Sequence, residues 1–194
     1  KTGSTINLAT QVGHGTVRSA VMDMDPRMPT QNELDQMKGI FADSLDSGAL
    51  GMSTGLWYAP GCYSLADEVI EITKIAAERD KLYSSHIRSE SDDLCGLFPA
   101  HAEAIEIGRR TGARIQISHV KAVGEKFWGR GNELIDGMEK ARNEALSKNE
   151  PELAKIFQDQ LNLYYDGKKE SNYKTLNEEQ NTIVQNNVQF RKDI

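Results

Sequence analysis

Apolar positions in the first three quarters of the chain alternate between two spacings. Leu34, Met37, Phe41 and Leu45 recur every three or four residues, the period of one helical face. Thr30-Gln31-Asn32-Glu33 just before them has the form of a capping box, and Ser47-Gly48 supplies a stop. The same helical spacing places Val69, Thr73, Ala76 and Ala77 on one face, with Ser64 as a candidate cap. It predicts a helix over 98–110 closed by Gly112, and another from Asn132 carrying Leu134, Ile135, Met138 and Ala141. Between these lie short runs with strand character: 7–12, 50–56, 82–87 and 114–120.

Strands that alternate with amphipathic helices imply parallel neighbours, because a parallel pair needs a long crossover. An open doubly wound sheet and a (β/α)₈ barrel both fit. No glycine-rich phosphate loop follows any strand, and histidines at strand ends favour the barrel, whose chemistry sits at the carboxyl rim. The fold class expected is therefore α/β, a partial TIM-type barrel over residues 1–148. From 149 to 194 the composition turns to Asn, Gln, Lys and Glu. Pro151-Glu152 can open a helix through Leu153, Ile156, Phe157, Leu161 and Tyr164, and a weaker one fits 178–190, so this part reads as an appended polar helical tail.

Charge narrows the partners. The formal net charge is -6, with no clustered Lys/Arg for nucleic acid or anionic membranes, and no apolar run reaches a membrane span. No apolar signal core follows the N-terminal residues. Cys62 and Cys95 form no metal spacing, and two free thiols in a cytoplasmic protein are expected.

The candidate chemistry lies in Ser85-His86-Ile87-Arg88 and Ser118-His119-Val120-Lys121. These are matching phrases at two strand ends, each with a cation two residues past the histidine. Neutral imidazole is a good ligand for zinc, and neighbouring barrel strands would bring the rings together. A lone strand-end histidine is more often a structural hydrogen-bond partner, so both readings stand. His14 between two glycines is assigned a structural role and His101 a solvent-facing one. Trp57 and Trp128 either pack at the mouth or line an acyl pocket, and Gly51 and Gly55 serve tight backbone turns.

Four phrases carry a resemblance. They are Gly13-His14-Gly15-Thr16-Val17-Arg18, the run 48–61 (GALGMSTGLWYAPG), Ser85-His86-Ile87-Arg88-Ser89-Glu90 and Ile117-Ser118-His119-Val120-Lys121. In wording, order and rough spacing this resembles the N-acyl-D-amino-acid deacylases (D-aminoacylases) of the amidohydrolase superfamily, over about residues 5–145 and not in the tail. The resemblance implies a TIM-like barrel with zinc at its mouth. It makes His86 and His119 metal ligands, and Lys121 and Tyr58 holders of the acyl-amino-acid substrate. Arg88 could bind substrate too, or form a salt bridge with Glu90 or Asp92.

The implied activity is hydrolysis of the amide of N-acyl-D-amino acids. The same family also uses an H-x-H pair and a cysteine upstream of these phrases, and an aspartate base downstream. None is found in this chain, so no catalytic residue is assigned and the isolated chain is expected to be inactive unless another chain completes it. The alternatives are another amidohydrolase reaction, on cyclic amides or dipeptides, and a non-catalytic scaffold that binds a partner. The expected partners are a small N-acyl amino acid and a possible oligomeric or complementing chain.

Overall fold

The computed structural model describes the backbone of residues 7–170 and the side chains of residues 7–162. The element order is β1 (Val12–Gly13), α1 (His14–Met22), α2 (Gln31–Asp46), β2 (Gly51–Gly55), α3 (Ala66–Ala77), β3 (Leu82–His86), α4 (Leu97–Thr111), β4 (Arg114–Ile117), α5 (Gly131–Ser147) and α6 (Pro151–Glu170). Short one-turn helices lie at Gly61–Tyr63 and Glu125–Phe127. The helix expected over 178–190 lies outside the described residues.

The four strands form one parallel sheet in the order β1-β2-β3-β4. That order fits the second of the two architectures left open by the sequence. A doubly wound sheet reverses its strand order at a switch point, whereas a barrel adds each strand beside the last. The sheet is an arc of a barrel.

Register assigns the two faces of the arc. Met52, Tyr83 and Ile115 are neighbours across three strands and are buried beneath the helices. Tyr83 joins Thr54 and Ser85 on that face, its hydroxyl 3.0 Å from Thr54 Oγ1, which in turn donates to Ser85 Oγ at 3.0 Å. The opposite face carries Gly51, Ser53 and Gly55 beside Leu82, Ser84 and His86, and apart from Leu82 is small or polar. Gly51 serves a close approach rather than a turn, since a Cβ there would lie 2.1 Å from the Leu82 carbonyl oxygen.

The capping box of α2 is complete: Thr30 accepts from the Glu33 amide and Glu33 accepts from the Thr30 amide. Met37, Phe41 and Leu45 are buried, and Gly48 takes a φ of 109° past the helix end. Gly112, with a φ of 69°, closes α4. Ser64 does not cap α3. Its hydroxyl donates to the Gly61 carbonyl at 2.6 Å, and Leu65 stands at the cap position.

Two further expectations change. The first strand pairs only at Val12 and Gly13 and leads into α1, which the apolar pattern did not predict. The buried face of α1 is His14, Val17, Arg18 and Met22, so its helical period is written half in polar residues. His101 is not solvent-facing. It falls on the buried face of α4 with Leu97, Ala100, Ala104 and Ile107, and is 3% exposed.

By compactness the chain divides into Lys1–Gln160 and Leu161–Ile194. Ile156 and Phe157, early in the polar tail, are buried in the core of the first unit. Gln160 accepts from the Ile117 amide at 2.9 Å, occupying a donor on the free side of β4. Among the described residues no helix is long and apolar enough to cross a membrane.

Candidate metal centre

His86 is the last residue of β3, on the mostly small or polar face of the arc. β4 ends at Ile117, and the Ser118 amide still bonds to the Ser85 carbonyl at 2.9 Å. The next residue, His119, takes a φ of 38°, a conformation that histidine tolerates at some cost. The two imidazoles meet there, with His86 Nδ1 2.8 Å from His119 Nε2 and ring centroids 4.7 Å apart.

A carboxylate completes the group. Glu90 Oε1 lies 2.7 Å from His119 Nδ1 and 3.7 Å from His86 Nδ1, and Oε2 lies 3.0 Å from Lys121 Nζ. Oε1 is shut off from solvent and receives no hydrogen bond of good alignment. One ligand atom from each of His86, Glu90 and His119 falls within 4.8 Å of the others, the separation expected of groups that could share an ion. Burial lowers the pKa of His86, opposed by Glu90 and reinforced by His119 and Lys121, so its metal-binding neutral form is favoured.

Tyr58 lies against this group, its ring 5.2 Å from that of His86, and is 56% exposed. Trp57 packs edge-on against Tyr58, and its indole donates to Asp93 Oδ2 at 2.7 Å. Ser89 also donates to Asp93, which ties the loop after β3 to the loop after β2. Trp128 is exposed on the far loop.

Arg88 is turned elsewhere. It donates through Nε and Nη2 to Glu103, through Nη1 to the Cys62 carbonyl and through Nη2 to the Ser64 carbonyl. Its salt bridge is thus with Glu103 on α4, not with Glu90 or Asp92. The residue that sequence reasoning passed over is Glu90, read there only as a partner for Arg88. Its signal was position, four residues past His86 in a loop that returns over the strand end.

His14 belongs to a separate group. Its Nε2 lies 2.9 Å from Glu68 Oε1, and Arg18 Nη1 donates to Glu68 Oε2 at 2.5 Å. Arg18 also donates to the carbonyls of Asp25 and Arg27. Burial would raise the pKa of Glu68, but the hydrogen bonds from His14 and Arg18 outweigh it and lower the pKa. Cys62 and Cys95 are free thiols.

The chain is similar to known proteins in sequence and in backbone. No protein-family model matches the chain. An N-acyl-D-aspartate deacylase and an N-acyl-D-glutamate deacylase of Alcaligenes xylosoxydans xylosoxydans are 35% and 36% identical to it, over 73% and 71% of this chain. The chain spans only 28% of the length of either relative. A crystal structure of N-acyl-D-glutamate deacylase from Bordetella bronchiseptica, complexed with zinc and a phosphonate mimic of the tetrahedral intermediate, superposes with a TM-score of 0.67 at 39% identity. It covers 72% of this chain and 29% of that one. A D-aminoacylase crystal structure, described as defining a novel subset of amidohydrolases, gives 0.65 at 34% identity over 70% of this chain and 28% of that one. By sequence and by backbone, the chain belongs to the N-acyl-D-amino-acid deacylase family of the amidohydrolases, and its sheet is a four-stranded arc of a TIM-type barrel.

Proposed function

We propose that this chain supplies the zinc-binding and substrate-orienting part of an enzyme that hydrolyses the amide bond of N-acyl-D-amino acids. The observation that carries the reading is the meeting of His86 and His119 from consecutive strands, 2.8 Å apart beside a carboxylate. The donor set fits zinc. Ligand atoms about 2.0–2.1 Å from a tetrahedral ion stand roughly 3.3 Å apart, and the 2.8 and 3.7 Å separations from His86 Nδ1 bracket that value. Zinc held by His86 and His119 would polarise the acyl carbonyl and acidify a water.

The chain's own residues would act on the substrate. The Lys121 ammonium suits the carboxylate of an N-acyl amino acid, and the Tyr58 hydroxyl can donate to a carbonyl or carboxylate oxygen. Arg88, committed to Glu103 and two carbonyls, is better placed to brace the β3 end against α4 than to bind substrate. We assign no general base to this chain. A deacylase without its base loses roughly 10²–10⁴-fold in rate. Two free thiols support a cytoplasmic location.

Calorimetric titration with zinc tests the reading. The expected result is specific binding that His86→Ala and His119→Ala each abolish. Absence of binding by the unsubstituted chain would favour a scaffold that has kept the barrel arc without its chemistry.

A further inference from the structure

We infer that the start of α6 takes the place of the next barrel strand. Gln160 closes the free edge of β4 there and is a positioning residue for the strand end that leads to His119. The link to His119 rests on the proposed metal centre; the closure of the edge does not.

A barrel would follow α5 with another strand laid beside β4. This chain instead turns back at once. Asn149 takes a φ of 57°, the Glu150 amide donates to the Ala145 carbonyl at 2.9 Å, and α6 opens at Pro151. Arg142 Nη1 on α5 donates to Gln158 Oε1 at 2.9 Å, which ties the two helices together. Among the described residues no strand follows β4.

Amides along a strand point alternately to either side. The Ser118 amide donates to Ser85 after β4 has paired with β3, so the Ile117 amide points away from β3, to the side where the sheet has no further strand. Ile117 is 3% exposed, and a buried N–H without a partner is costly. Gln160 removes that cost. Its side-chain amide carries the same kind of carbonyl as a backbone peptide, is buried, and accepts from the Ile117 amide at 2.9 Å. Ile156 and Phe157 seat this part of the helix in the core cluster that holds Ile107 and Ile115. A helix thus presents one strand-like acceptor, and the edge is covered at Ile117.

The two amides before His119 are held in this way from opposite sides, one by Ser85 and one by Gln160. A chain that completes the barrel cannot pair with β4 at Ile117 unless this turn of α6 is displaced.

Amide hydrogen exchange, followed residue by residue by NMR in the full 194-residue chain, tests the inference. The expected result is slow exchange at Ile117, comparable with Ser118. Gln160→Met keeps the length but has no acceptor oxygen. It is expected to speed exchange at Ile117 about 10-fold and to leave Met52 and Tyr83 unchanged. Gln160→Glu keeps an acceptor and is expected to restore slow exchange. Zinc affinity by calorimetry is expected to follow the same order, falling several-fold in Gln160→Met and recovering in Gln160→Glu.

Ile117 exchange unaffected by Gln160→Met overturns the inference. So does equal speeding throughout the sheet, which would mark Gln160 as packing alone. Equal zinc affinity in all three chains, with Ile117 responding, overturns the link to His119 and leaves the closed edge standing. Absence of zinc binding by the unsubstituted chain overturns the metal reading, and the exchange result still decides the edge. If Gln160→Met does not fold, the unsubstituted chain decides: exchange at Ile117 as fast as at an open edge overturns the inference.

Discussion

Two groups in this molecule combine histidine, glutamate and a cation, and they do opposite things. His14, Glu68 and Arg18 lie between α1 and α3, with side chains at most 1% exposed. His86, Glu90, His119 and Lys121 lie at the ends of β3 and β4, with exposures from 14% to 52%. In the first group each oxygen of the glutamate has its own hydrogen bond, and the arginine is further held by two carbonyls. In the second, nitrogens and an oxygen face a common space and the carboxylate oxygen nearest it lacks an aligned donor. The first group is closed around its carboxylate, although His14 Nδ1 and Arg18 Nε are buried without a hydrogen-bond partner; the second is convergent and open. The residue types alone do not distinguish them.

The sharpest way to break this contrast is to remove charge from the closed group. In Glu68→Gln the size is kept, but Arg18 is left buried without a counter-ion. Losing one partner of a buried pair costs about 3–5 kcal/mol. Urea denaturation should show that loss. The double variant Arg18→Met, Glu68→Leu should recover most of it, because two apolar side chains leave no charge unpaired. A cost below about 1 kcal/mol for Glu68→Gln would mean that the group is not an ion pair in solution.

His101 sharpens the comparison as a histidine buried with no carboxylate at all. Its Nε2 has no partner, and burial lowers its pKa from 6.5 to about 4. Above pH 6.5 the ring is neutral in both folded and unfolded chains, and its full contribution to stability is present. As the pH falls below 6.5 the unfolded chain takes the proton first, so stability declines until about pH 4 and then levels off. That gap corresponds to about 3 kcal/mol. Denaturation midpoints measured from pH 7 to pH 4 should fall in the native chain, and a His101→Leu variant should flatten the curve over that window.

Much of the fold was legible because each helix and strand wrote its period in apolar residues. The face of α2 and its Thr30–Glu33 cap, the strand ending at His86 and the stop at Gly112 all follow from local spacing. What escaped was written in polar residues. α1 buries His14 and Arg18, and α4 buries His101, so a period counted on hydrophobic positions alone misses them. At the site, matching phrases drew attention to His86 and His119, but the Glu90 side chain reaches both only because the loop after β3 folds back. Arg88 shows the converse: its spacing from His86 equals that of Lys121 from His119, yet Glu103, on the next helix, takes its guanidinium. Long-range partners of this kind leave no local trace.

The open group should be cheap to alter where the closed one is costly, and Lys121 gives the smallest expected effect. Its ammonium pairs with Glu90 but is half-exposed, so water replaces most of the attraction when it is removed. Lys121→Met should therefore change unfolding free energy by no more than about 0.5 kcal/mol, read from the same urea curves as Glu68→Gln. A loss approaching that of Glu68→Gln would show Lys121 to be a structural counter-ion and would place both groups in the closed class. A near-neutral result joined to unchanged zinc binding would separate the lysine from the fold and from the ion, as its proposed role toward substrate requires.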